Sequence, residues 1–234
     1  MHYRRPITDA VAFFQWSYLR EVWPTVEHDL VQHVELALIA VAVGTAISVP
    51  LGLLAWRYRL LRVPIFGFSS GLYVIPSLAL FVLLLPITGI GSILTAEIAL
   101  VGYTLLILVW NTTAGLASVP ADVREAARAM GYSPAAGLLR VDLPLALPYI
   151  FAGLRVAMAT VIGLVTVTAL IGLGGLGRLI TTGFNADNGT SILAGLVLSV
   201  LLAAVADLTL VGLERLVVPW SHRLGRLGRS RVAA

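Results

Sequence analysis

Gly172, Gly174 and Gly177 stand at the spacing of a dinucleotide-binding fingerprint, the one short pattern here that names a chemistry outright. That fingerprint must follow a short strand, open a helix and be answered by an acid about 20 residues on. Here the run follows a long apolar stretch, and the nearest acid, Asp187, comes too early. Gly172, Gly174, Gly175 and Gly177 read instead as an external turn that lets another backbone approach closely. His28 and His33 lack the HExxH spacing of a metal site, and an interfacial position accounts for them. Cysteine is absent and all sixteen basic residues are arginine, so there is no thiolate ligand, no phosphate-loop lysine and no Schiff-base lysine. Paired carboxylates, or a serine with its base, are equally wanting. The expectation is a chain that is not an enzyme and binds no metal or cofactor of its own, any ATP in its work being hydrolysed by a partner.

The elements that would carry these residues are membrane helices. Only 12% of residues are charged and 59% are hydrophobic, against about 25% charged in soluble domains. The uncharged runs are 36–56, 63–96 and 98–121, followed by 148–171 (with Arg155 near one end) and 188–213 (with Asp207 inside). Each is long enough for about 20 helical residues, so the fold class is an all-α membrane protein of about five transmembrane helices. Eleven arginines fall in the links after spans one and three and in the C-terminal tail, against four on the opposite side. That asymmetry puts the N-terminus outside and the C-terminus in the cytoplasm. The arginines flank apolar runs rather than forming a basic stripe, which argues against nucleic acid.

The expected organisation is an interfacial segment at 1–30, a transmembrane domain at 31–218 with a cytoplasmic loop at 118–144, and a basic cytoplasmic tail at 219–234. In the first segment the apolar stretch is cut by Gln15 and Ser17, unlike a signal peptide, and it is expected to remain attached. Phe13, Trp16, Arg20 and Trp23 recur at roughly helical spacing, which suits a short helix at headgroup level.

Within the spans, Pro76 removes a backbone N–H and leaves the Leu72 carbonyl without its helical donor. In lipid such irregularity survives only when buried in protein or lining a cavity. Tyr73, Pro76 and Ser77 are therefore candidates for a translocation path, with a packing kink as the alternative. Asn111, Thr112 and Thr113 form a second polar cluster, for which interhelical hydrogen bonding competes with substrate contact. Arg155 and Asp207 are the deepest charges: they can pair, or Arg155 can snorkel, or Asp207 can relay protons.

The loop between spans three and four carries two sets of helix signals. Pro120 suits a first helical position, Gly131 a left-handed cap, and Ser133 with Pro134 a second start. Val123, Ala126, Ala127 and Met130 fall on one face, opposite Asp122, Arg124 and Arg128. Such a helix is shaped for docking; an ordinary solvated loop is the alternative.

The spacing Glu125-Ala126-Ala127, three residues, Gly131, nine residues, Val141, one residue, Leu143-Pro144 resembles the EAA motif of permease subunits in bacterial ABC importers. Val141 replaces the usual isoleucine. Segments 73–91, 111–116, 143–155 and 169–177 look like the osmoprotectant branch, which carries glycine betaine, choline, carnitine or proline. Trp110 departs from it, standing where a polar or basic residue is expected. The resemblance, over about 27–214, implies a MetI-like permease fold in the bacterial cytoplasmic membrane. By the same resemblance Glu125, Ala126, Ala127, Met130, Gly131, Leu143 and Pro144 couple to separate ABC ATPase subunits that hold ATP and Mg. A second permease subunit, identical or homologous, completes the path, and an extracytoplasmic substrate-binding protein meets the glycine turn. The rivals are a permease for another small solute, such as methionine, and a proton-coupled transporter.

Overall fold

The computed structural model describes residues 15–220. Phe13 and most of the basic tail, and with them part of the expectations for 1–30 and 219–234, lie outside the described residues. Nine α-helices follow one another, with no strand among the described residues: α1 (Trp16–Arg57), α2 (Arg59–Val74), α3 (Ser77–Thr88), α4 (Ile93–Ala117), α5 (Ala121–Ala129), α6 (Pro134–Gly137), α7 (Leu143–Thr168), α8 (Leu176–Asn185) and α9 (Gly189–Val217). Inside a bilayer, helices satisfy every backbone polar group within one segment, so apolar runs of this length settle as helices. Four helical segments are long and apolar enough to cross a membrane, and the bent pair α2–α3 brings the number to five.

Three expectations about these elements need correcting. No separate short helix occupies the described part of 1–30, because from Trp16 onward it continues straight into span one as α1, 42 residues long. At 1.5 Å per residue α1 runs about 63 Å, twice the hydrocarbon thickness of about 30 Å. Val26 packs with Leu176 and Leu179 of α8, which gives this stretch a protein surface to lie on. Second, Pro76 does not kink a continuous helix: the chain breaks there and turns through 98°. Ile75 is extended (ψ 127°), as the steric demand of a following proline requires, and Pro76 caps α3, where its missing N–H costs nothing. At the break the Tyr103 hydroxyl donates to the Ile75 carbonyl. Third, Pro120 is the cap of α5 and not its first residue.

The chain divides into two compact units, each drawing on the long helices. One takes residues up to 40, 76–100 and 161–204, and the other takes 41–75, 101–160 and 205 onward. In the second unit glycines let helices approach closely. A Cβ on Gly52 would stand 2.7 Å from Cβ of Thr112, and one on Gly153 would stand 2.7 Å from Cβ of Asn111. Small residues at crossings are how membrane helices gain packing when water supplies no hydrophobic force between them. In the first unit Gly195 does the same for α8 and α9, its added Cβ falling 2.7 Å from Ile180.

Candidate functional site

The loop between α4 and α7 is a built structure. Gly131 takes φ +83°, its N–H donates to the Arg128 carbonyl at 2.9 Å, and the Tyr132 N–H donates to the Ala127 carbonyl at 3.1 Å. These two bonds are the Schellman termination of α5, and only a residue at ease in the left-handed region makes both. Asp122 in the first turn and Arg128 in the last suit the helix dipole. Ser133 then caps α6, its hydroxyl accepting from the Ala136 N–H at 3.3 Å. A π-helical stretch, Leu138–Asp142, joins α6 to α7.

Arg124 holds this loop, a role its place on the polar face of α5 did not suggest. Its Nε donates to Asp142 at 2.7 Å, its terminal nitrogen donates to the Leu116 carbonyl, and its guanidinium lies 5.1 Å from the centre of the Trp56 ring. One side chain thus ties α5 to the ends of α1 and α4 and to the lead-in of α7. The charge-assisted bond to the buried Asp142 is the strong member of the set. Asp142, eighteen residues on, was the available signal in the sequence. A hollow of about 880 Å³ beside the loop is lined by Trp56, Tyr58, Arg128, Tyr132 and Leu138.

The expected single face of Val123, Ala126, Ala127 and Met130 divides in two. Ala127 is buried and Val123 half-buried against the chain itself, whereas Glu125, Ala126, Met130 and Gly131 are exposed. Leu143 and Pro144 are half-buried at the start of α7. The outward surface is therefore Glu125, Ala126, Ala129 and Met130, with Met130 70% exposed.

The candidates for a path are dispersed. Tyr73 is partly exposed and meets Tyr103 edge to face, with ring centroids 5.9 Å apart. Pro76 is exposed and Ser77 half-buried at the break. In the other cluster, the Thr113 hydroxyl donates to the Gly52 carbonyl at 3.1 Å, and the Asn111 amide donates to the Ile107 carbonyl at 2.8 Å. Thr112 is fully buried. Helix packing accounts for the contacts of Thr113 and Asn111.

Arg155 and Asp207 form a bidentate pair between α7 and α9, at 2.6 and 3.0 Å. Pairing is thus the alternative realised. The glycine turn serves the chain's own packing. Gly174, Gly175 and Gly177 are buried and only Gly172 is exposed. A Cβ on Gly174 would fall 1.9 Å from the Gln32 side-chain oxygen, and one on Gly177 would fall 2.0 Å from the Thr166 carbonyl oxygen. The close approach read from the glycines is therefore made by α1 and α7. His33 is fully buried here and not interfacial: its Nδ1 accepts from the Leu176 N–H at 3.2 Å, so Nε2 carries the proton and donates to the Ile162 carbonyl at 3.0 Å. Arg178 pairs with the buried Asp29 at 2.7 Å.

Glu97 escaped the reading of spans. It was a boundary between apolar runs, yet it lies inside α4, with both carboxylate oxygens closed off from solvent and without a hydrogen-bond partner.

Helices that cross a bilayer and pack on glycines, with a span broken at proline and a loop helix tethered at one edge, define a polytopic membrane protein. The chain belongs to the family of binding-protein-dependent transport system inner membrane components, whose model matches residues 33–219. It is accordingly a multi-pass protein of the bacterial inner membrane. It is 37% identical over 195 residues to the glycine betaine/carnitine/choline transport system permease protein OpuCD of Bacillus subtilis, covering 83% of this chain and 85% of that one. The osmoprotectant import permease protein OsmW of Salmonella typhimurium is 39% identical over 193 residues, covering 80% and 89% respectively. Among solved structures, an inward-facing MetNI methionine ABC transporter superposes with a TM-score of 0.71 at 23% identity, over 82% of this chain and 95% of that one. That likeness speaks to the fold.

Proposed function

We propose that this chain is the permease subunit of an ATP-driven importer for osmoprotectants: glycine betaine, choline, carnitine or proline. A second permease subunit lines the path with it, a separate ATPase holding ATP and Mg docks on the loop at 118–144, and an extracytoplasmic binding protein delivers the solute. The named transport systems of the relatives, matched over four fifths of the chain, carry the substrate class. The excess of arginine in the loops after spans one and three supports a cytoplasmic loop, a cytoplasmic C-terminus and an N-terminus outside. The turn at Gly172, Gly174, Gly175 and Gly177 then lies on the binding-protein side.

The mechanical reading rests on one observation, the tether at Arg124. Glu125, Ala126, Met130 and Gly131 offer the outward surface to the ATPase, while Ala127 seats α5 on its own chain. A displacement of α5 passes through Arg124 to Trp56, Leu116 and Asp142, and so to the ends of α1, α4 and α7. Leu143 and Pro144 form the first turn that receives it, and the π-helical stretch before them is a natural place to yield. Tyr73, Pro76 and Ser77 stand at the break in span two, where irregular backbone suits a path. The two arrangements of the spans are populated according to which one the ATPase and binding protein bind better.

Uptake of radiolabelled glycine betaine, choline, carnitine, proline and methionine into proteoliposomes tests this, with ATPase and binding protein added singly and together. The expected result is uptake of one or more osmoprotectants only with both partners and ATP present. Uptake without the ATPase overturns the reading.

A further inference from the structure

We propose that Glu97 is a solute-contacting carboxylate, the negative group that meets the quaternary ammonium of the solute as it enters the membrane. This rests on the osmoprotectant reading and narrows it to a residue. Glu97 is the fifth residue of α4, and neither of its oxygens reaches solvent or accepts a hydrogen bond. Ile93, Leu94 and Ile98 beside it on α4 are exposed, so the carboxylate borders an apolar face that this chain leaves open.

A carboxylate left in such a place is expensive, and within membrane spans such groups mark substrate paths or pair with another charge. Asp29, Asp142 and Asp207 are each paired with an arginine of this chain, Arg178, Arg124 and Arg155 in turn, whereas neither oxygen of Glu97 has a hydrogen-bond partner. On this proposal the cation that answers Glu97 is the cargo's. A quaternary ammonium has no N–H to donate, so it binds by charge alone, strongly in a low dielectric and with no hydrogen bond to break on leaving. In the proposed orientation the N-terminal end of α4 lies on the extracytoplasmic side, where the solute arrives. The hydroxyls of Thr88 and Thr95 bond to each other next to this end, and Thr95 also donates to the Gly89 carbonyl, so neither is free to serve the carboxylate.

Choline carries net charge +1, whereas glycine betaine brings its own carboxylate, which Glu97 repels. Removing the charge at position 97 should therefore penalise choline selectively. The experiment is uptake of radiolabelled choline and glycine betaine by the complete transporter, with ATPase and saturating binding protein, comparing Glu97→Gln and Glu97→Asp with the wild type. We expect Glu97→Gln to lower the choline-to-betaine uptake ratio about tenfold. Glu97→Asp should keep most of that ratio, and it supplies the comparison should the glutamine variant fail to assemble: its ratio should stay well above that expected for glutamine, at a raised KM for choline. An unchanged ratio in Glu97→Gln, or an equal loss for both solutes with either variant, overturns the inference and marks Glu97 as structural. A wild type that carries neither solute overturns the osmoprotectant reading itself, and this inference with it.

Discussion

Replacing Gly131 by alanine changes the backbone preference of the loop and nothing else nearby, since an added Cβ meets no atom within 4 Å. At φ +83° an L-residue bearing a Cβ costs about 1–2 kcal/mol. The last turn of α5 has little packing with which to resist, because Ala126, Ala129 and Met130 are exposed, so the strain is relieved by fraying at this end. One to two kcal/mol of that kind shifts the capped conformer against the frayed one by a factor of about 5–30. ATP-driven uptake in proteoliposomes should fall in Gly131→Ala by up to that factor, with unchanged yield of inserted protein. Asparagine tolerates the left-handed region, so Gly131→Asn should retain most of the uptake. Wild-type uptake in Gly131→Ala would show that the left-handed cap is not needed for coupling, as would equal losses in the alanine and asparagine variants.

Other substitutions test the packing. Gly177→Ala drives a Cβ to 2.0 Å from the Thr166 backbone carbonyl, which cannot swing away, and should lower stability by about 1–3 kcal/mol in thermal unfolding in detergent. Gly44→Ala meets the Thr104 hydroxyl at 1.9 Å and its Cβ at 2.9 Å, so it should lower the melting temperature alone and recover part of it with Thr104→Ala in the same chain, which removes the nearer contact but not the Cβ. Arg155→Gln and Asp207→Asn should each lower the melting temperature by leaving one charge of the pair unanswered, and the double variant should lie above either single one.

The long apolar runs were legible because a bilayer admits few solutions for them, and so were Gly131 and Ser133, whose preferences are local. What escaped was whatever depends on a neighbour distant in sequence. Arg124 sits among other charged residues on α5, and only folding brings it to Asp142 and Trp56. Charge was also a poor boundary marker: Glu97 ended a run in the sequence but lies inside α4. The glycines at 172–177 announced a close approach but not its partner, which proved to be Gln32 and Thr166. Pro76 announced an irregularity but not that the helix would break there, with the Tyr103 hydroxyl, 27 residues away, donating to the Ile75 carbonyl. α1 runs unbroken through Pro24, and two residues on Val26 packs on Leu176 and Leu179 of α8.

In the proposed function a loop helix of this chain takes up force from a separate ATPase. Because the chain contains no cysteine, single cysteines can be placed by Ala126→Cys, Ala127→Cys and Met130→Cys without background. Cross-linking each variant to the purified ATPase, in membranes that carry out ATP-driven uptake, reads that contact itself. The prediction is efficient cross-linking from positions 126 and 130, little from the buried 127, and a yield that changes when ATP is bound. Cross-linking from none of these positions while uptake proceeds would contradict it.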